Sequence, residues 1–478
     1  MHTLTPVHAS LIAFGAVLLG HALQMRDGFY DVIALRWTVL AAAFVVAGAS
    51  RIGGRAGSEP LVAGVLLAGL LSNFLALATM PIGMYLVRAD PSRHPDFLAG
   101  LGAATAFTLL IAFDSRRASR AWFPALLITY GALGIWLIEA SPRPRIDVMT
   151  VFREALGALS RLESPYSISL PNIYDNDALY GAGLVVDGRV QFGFPYPPLS
   201  LLMAAPGYAL GGDVRYTELA ALLAGAAAIG YCVRGRVAPL AAAALLFTPR
   251  TFFVLEQAWT ESLVICWAGL AVFAASRSAP LPVVAARRPR LRPLALGLLV
   301  AVKQHLVVAL LLARWLRRPH ENAGTTLWIT LGACGVAAIV TLPFFLWDPD
   351  GMWRSVVTLQ LREPFRADSL SLPSHFARQG WEPTAEALLW APVAALTTGL
   401  LLTWWRLPRT PAGFATALGM TFLLLFLCSK KAFCNYYFLV VALLMAGVAA
   451  ASGDFQDADP PIGSEARGST TTEHGSDG

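Results

Sequence analysis

The chain has 478 residues, of which 56% are hydrophobic and only 14% charged, and its mean hydropathy is +0.58. A soluble domain is about 45–50% apolar and about 25% charged. This chain therefore lacks the polar residues to clothe a water-soluble globule, which excludes a cytosolic enzyme, a disordered protein and a nucleic-acid binder, and leaves a polytopic membrane protein.

The net charge of +6 mostly reflects arginine in short loops, where it sets membrane orientation. Lys303, Lys430 and Lys431 are the only lysines. The five cysteines lie in or at the ends of apolar runs, fit no zinc spacing and imply no disulfide framework. No cleavable leader is expected, because no Lys or Arg precedes the first apolar run.

A span needs about 20 mostly apolar residues. In chain order, apolar runs occupy 8–24, 31–50, 60–86, 97–113 and 121–139, then 217–233, 237–253 and 258–275. The last group covers 293–316, 325–345, 385–405, 411–428 and 434–452. The expected fold is an all-α, polytopic bundle of roughly 12–14 membrane helices. The acidic stretch 453–478, rich in Gly, Ser, Thr and Asp, reads as a disordered cytoplasmic tail.

Positive charge collects on the cytoplasmic side of a membrane. Basic clusters occur at Arg51/Arg55, Arg116/Arg117/Arg120, Arg234/Arg236, Arg287/Arg288/Arg290/Arg292, Arg317/Arg318 and Arg406/Arg409. Placing them inside puts the N-terminus inside and the two long loops, 140–195 and 346–384, outside. Parity then requires that 197–212, which contains Pro197, Pro198 and Pro206, dips into the outer leaflet without crossing. The run 293–316 carries Arg at both ends, so it reads as two half-length helices meeting near Lys303; a single span with an imperfect charge bias is the competing reading. No strong internal repeat is evident, which disfavours a transporter built from matching halves.

Charged residues at membrane depth cost about 2.5–3.5 kcal/mol each on insertion scales, so they are functional candidates. Asp147 follows the 121–139 run at the membrane border, and 148–161 has apolar residues spaced for one face of a helix lying flat on the bilayer. Asp175 and Asp177 flank Asn176 on one short loop, which suits a divalent metal or, equally, an exposed turn. Arg362 and Arg366 stand four apart; on one helical face they could grip a phosphate, and otherwise they are an ordinary solvated face. Glu256/Glu261, Lys303/Gln304/His305 and Lys430/Lys431 sit within or beside apolar runs, and His375 lies in the second loop.

The order of these features resembles the GT-C superfamily of integral-membrane glycosyltransferases, in particular the polyprenyl-phosphate-mannose-dependent mannosyltransferases. The residues that carry the likeness are Ile146-Asp147-Val148 at a helix exit, the flat helix, Ser164-Pro165-Tyr166 and Tyr196-Pro197-Pro198-Leu199. They continue with the broken hairpin at Lys303-Gln304, the stretch Trp347–Arg366 and Lys431 followed by Asn435-Tyr436-Tyr437. The likeness covers 121–452, with 1–120 as an added N-terminal set of transmembrane helices.

The resemblance implies transfer of a mannose-like hexose, with inversion, from a polyprenyl-phosphate carrier to a glycan or glycolipid acceptor, on the outer face of the plasma (inner) membrane. It makes Asp147 the general base, with Lys303, Arg362, Arg366 and Lys431 as donor-phosphate contacts. His375 and Glu256 become acid/base or acceptor contacts, and Tyr166, Tyr196, Trp347 and Trp353 sugar-stacking or interfacial aromatics. A divalent metal stays open, since some members use one and others do not; Asp175 and Asp177 are its only candidates. Expected partners are the lipid-linked sugar, the acceptor and membrane lipids, with no nucleic acid. The alternative is a multi-pass lipid or solute transporter or flippase, with a midplane cavity between related halves.

Overall fold

A computed structural model describes residues 3–50, 57–86, 94–181, 183–276, 282–318 and 321–456. The chain is 73% helical, with nineteen α-helices and almost no strand among the described residues. Among the described residues, seven helices are long and apolar enough to cross a membrane, and five shorter apolar helices join them. The chain is a multi-pass helical membrane protein.

The first five helices are α1 (Pro6–Met25), α2 (Val32–Gly48), α3 (Glu59–Thr79), α4 (Pro95–Phe113) and α5 (Phe123–Ala140). Four of them, α1, α3, α4 and α5, carry proline in their first turn, where its missing N–H costs nothing. Asp31 caps α2 by accepting from Ile33 N and Ala34 N at 2.8 and 3.0 Å. The expected run 60–86 ends early: α3 stops at Thr79, before Pro81, and 80–86 continue without helix.

The first long loop opens with α6 (Asp147–Ser160), which buries Val148, Val151, Phe152, Ala155 and Leu156 on one face as its apolar spacing requires. A small antiparallel sheet follows, with β1 (Leu170–Pro171) and β2 (Val185–Val186) on either side of β3 (Arg189–Val190). Then come α7 (Pro198–Gly211), α8 (Arg215–Gly230), α9 (Val237–Leu246), α10 (Thr251–Glu256) and α11 (Glu261–Ala275).

α12 (Pro282–Val302) ends at Lys303, whose backbone is extended (φ −149°, ψ 133°), and a 3₁₀ segment runs from Gln304 to Leu316. The guanidinium of Arg292 donates to Leu316 O at 3.1 Å and to the Glu321 carboxylate at 2.6 and 2.8 Å, so both ends of the hairpin meet. The break falls where arginine at both ends demanded it. α13 (Ala323–Trp347) leads into the second long loop, with α14 (Pro349–Trp353), α15 (Leu359–Arg362) and α16 (Leu372–Arg378). The chain closes with α17 (Ala385–Arg406), α18 (Pro411–Leu427) and α19 (Cys434–Gln456). The helix thus takes in 453–456 of the expected tail, and 457–478 lie outside the described residues, as do Arg51 and Arg55 and the side chains of Arg287 and Arg288.

The two long loops are stitched together. Asp348 accepts from Ser164 Oγ and Ser167 Oγ, both at 2.5 Å, and Gly193 N donates to Ser355 Oγ at 2.9 Å. The helices of 1–120 share one apolar core with the rest: α1 packs against α19 as well as α2 and α3, and α3 packs against α9.

Candidate functional site

A cavity of about 670 Å³ opens where the two loops, the hairpin turn and the start of α19 converge. Asp147, Lys303, Arg366 and Lys431 all line it, although 284 residues separate the first from the last. Each is positioned by a different element. Asp147 starts α6; Lys303 is the turn of the broken hairpin; Arg366 follows α15; Lys431 precedes α19.

Asp147 is half-buried. Its N–H donates to Tyr174 Oη at 3.1 Å, and its Oδ1 accepts from Val148 N at 2.8 Å. Loss of water in the cavity pushes its carboxyl above the ordinary aspartate range, against the opposing pull of Lys431, the Val148 N–H and the Tyr174 hydroxyl. Tyr174 and Tyr180, both lining the cavity, have phenols raised by burial and by the Asp147 charge.

Every cation in the cavity has a carboxylate partner. Lys303 Nζ pairs with buried Glu261 Oε1, which also accepts from Asn435 Nδ2 at 3.0 Å. The same ammonium lies 5.7 Å from the ring centres of both Tyr196 and Tyr436. Lys431 donates to Glu363 Oε1 at 2.8 Å. Burial pulls the Lys431 ammonium down, but Glu363 and Tyr436 more than offset this and hold it above the usual lysine range. Arg366 donates to Asp368 from Nε and Nη2 at 2.8 and 2.7 Å and stacks over Phe433 at 4.9 Å.

The other expected residues lie elsewhere. Arg362 is exposed and does not line the cavity, because the helical segment ends at that residue and Arg366 belongs to the extended chain beyond it; the four-residue spacing gives no shared face. Glu256 is fully buried outside the cavity lining, with its carboxylate engaged by Met84 N and Tyr85 N at 2.6 and 2.9 Å. His375 bonds Tyr30 Oη at 2.8 Å and Gln379 Nε2 at 3.0 Å, also away from the cavity. Of the aromatics, Tyr196 lines the cavity. Tyr166 is buried beneath it, donating to Tyr196 O at 3.1 Å, while Trp347 and Trp353 are exposed outside it.

Asp175 pairs with Arg145 at 3.4 Å on the surface, and Asp177 accepts from Asn172 Nδ2 at 2.8 Å. Among the described residues, no group of three or more His, Cys, Asp or Glu could hold a metal ion. Asp175 and Asp177, the expected metal ligands, thus engage separate surface partners and do not line the cavity.

Several cavity residues escaped the sequence reading of the site: Asp27, Phe29, Met84 and Tyr85 from the first 120 residues, Tyr174 and Tyr180 from the first loop, and Glu363 from the second. Asp27 pairs with buried Arg250, which fixes the α1–α2 turn against α10. Tyr30 N donates to Asp368 O at 2.8 Å, tying the same turn to the second loop. Only Glu363 carried a sequence signal, as a charge in the same stretch as Arg362 and Arg366. Comparison with protein-family models, with curated proteins and with solved structures found no match.

Proposed function

We propose that this chain is a membrane glycosyltransferase that moves a mannose-like hexose from a polyprenyl-phosphate carrier to an acceptor hydroxyl, with inversion, on the extracytoplasmic face of the inner membrane. The observation that carries the reading is the convergence of one desolvated carboxylate, Asp147, with Lys303, Arg366 and Lys431 in a single cavity.

In the proposed reaction the acceptor oxygen attacks the anomeric carbon from the face opposite the lipid phosphate. The new C–O bond forms as the bond to the phosphate oxygen breaks, and that oxygen keeps the electron pair. The acceptor proton passes to Asp147, whose raised basicity suits it to receive one. Lys303, Lys431 and Arg366 stabilise the charge that develops on the departing phosphate. Tyr196 and Tyr436 offer ring faces beside Lys303 on which a sugar can stack.

The test is transfer of radiolabelled sugar from synthetic polyprenyl-phosphate donors by the purified protein, wild type against Asp147→Asn. Loss of a general base is expected to cost about 10²–10⁴ in rate. Equal transfer by both proteins removes Asp147 from the role of base; no transfer from any donor favours the transporter reading.

A further inference from the structure

Residues 80–86 form a strap along the cavity wall, and both Met84 and Tyr85 line the cavity. Gln24 Nε2 donates to Pro81 O at 3.3 Å near its start, and two tethers hold its cavity-lining end. At the first, the Glu256 carboxylate at the end of α10 accepts from two successive backbone N–H groups, Met84 at 2.6 Å and Tyr85 at 2.9 Å. Its Oε2 also accepts from Gln257 Nε2 at 3.2 Å. Charge-assisted bonds to a buried carboxylate are the strong kind. Gly83 makes the approach feasible, since a Cβ there would lie 2.6 Å from Glu256 Oε1. At the second, Tyr85 Oη donates to Arg145 O at 2.6 Å, two residues before Asp147. Asp147 is close enough to act on the Tyr85 phenol electrostatically.

We propose that Tyr85 is a specificity-determining residue that contacts a sugar acceptor beside Asp147, and that Glu256 is its positioning residue. The phenol spends its proton on Arg145 O and keeps its oxygen lone pairs for an incoming donor. A sugar ring carries neighbouring hydroxyls, so one can give its proton to Asp147 while a second donates to Tyr85 Oη. A lone hydroxyl on a peptide or an alkyl chain cannot make both contacts. The acceptor is thus a sugar with neighbouring hydroxyls, selected in part by the first 120 residues. This assignment rests on the glycosyltransfer reading; the role of Glu256 does not.

Two measurements separate these parts. Hydrogen exchange, read by mass spectrometry on the full chain in detergent, reports the Met84 and Tyr85 amides directly. Both should exchange at least about tenfold faster in Glu256→Ala than in wild type, a loss of protection that follows from breaking the bonds these two amides make to Glu256. In Glu256→Gln, which preserves volume but turns one acceptor into a donor facing an N–H, the increase should be smaller. Unchanged exchange in both variants overturns the positioning role. In the transfer assay with monosaccharide and oligosaccharide acceptors, Tyr85→Phe should raise acceptor KM about threefold to tenfold while donor KM holds, as expected for one lost hydrogen bond. An unmoved acceptor KM, a shifted donor KM, or a wild-type protein that transfers to no sugar acceptor overturns the specificity role and leaves the exchange result standing by itself.

Discussion

Replacing Glu261 with Leu strips Lys303 of the carboxylate that neutralises it at the hairpin turn. The two side chains are only 7% and 1% exposed, so neither charge can turn to water in place. Removing one member of such a pair leaves a buried, uncompensated charge, at a cost of about 3–5 kcal/mol. The faces of Tyr196 and Tyr436, each 5.7 Å from the ammonium, remain beside it after the change and keep the loss toward the lower end of that range. The expectation for Glu261→Leu is a loss of about 3 kcal/mol. Lys303→Met should cost a similar amount, because Glu261 keeps only the Asn435 bond and its Oε2 already has no partner. The double variant removes both charges together and should cost less than the sum by at least about 2 kcal/mol. The assay is unfolding in mixed micelles, titrated with SDS and followed by tryptophan fluorescence for all four proteins. Additivity within about 0.5 kcal/mol would refute the claim that the pair is coupled and that its desolvated charges set the cost.

Two further outcomes follow from the cavity. Because Asp147 must be ionised to accept a proton and its carboxyl lies above the ordinary aspartate range, transfer should rise with pH through that raised value; Lys431→Met removes the strongest influence holding it down, so the acid limb of kcat/KM should move to higher pH, and a static limb counts against Asp147 as the titrating base. Arg366→Ala should raise donor KM by roughly tenfold or more, as for a charge-assisted bond of about 1.5–3 kcal/mol, while Arg362→Ala should leave it within about twofold; equal effects would show that the cavity does not hold the donor phosphate.

What could be read from the residues alone divides along physical lines. Span positions, the flat helix α6 and the break at Lys303 each rest on a local pattern: apolar length, one-face spacing, and arginine at both ends of a run too short to cross twice as helix. Asp147 and Lys303 stood out because charge at membrane depth is costly anywhere. Glu256 stood out for the same reason, yet its charge is absorbed by two backbone N–H groups 172 and 171 residues away, and no local signal marks those as its partners. The same limit hid the pairing of Lys303 with Glu261, 42 residues distant, and the cavity wall supplied by 80–86, whose apolar composition reads as the end of a span until Pro81 is weighed. Arg362 and Arg366 share a face only if the segment between them is helical, and Glu363-Pro364 intervenes, where proline and its predecessor leave the helix.

The pairing of every cavity cation with a carboxylate has a consequence for how a phosphate can be held. Bare cations withdrawn from water cost several kcal/mol each, so the carboxylates make the cavity tolerable when it holds no anion. The cations nevertheless keep spare donors. Lys431 uses one N–H on Glu363, Lys303 one on Glu261, and Arg366 leaves Nη1 clear of Asp368. On the proposed reading a lipid phosphate engages these spare N–H groups and meets, at the same time, the repulsion of the Glu363 carboxylate that lines the cavity with it. Glu363→Gln keeps an oxygen for Lys431 and deletes that repulsion. It should therefore lower donor KM, the reverse of Arg366→Ala. It should also move the acid limb to lower pH, the reverse of Lys431→Met, because the Glu363 charge helps to raise the Asp147 carboxyl. A single substitution thus carries two signs, one read in donor KM and one in the pH profile. If donor KM rises instead, Glu363 serves the donor by orienting Lys431 more than it opposes the phosphate by charge, and the electrostatic account of the cavity is wrong even where the transfer reaction is right.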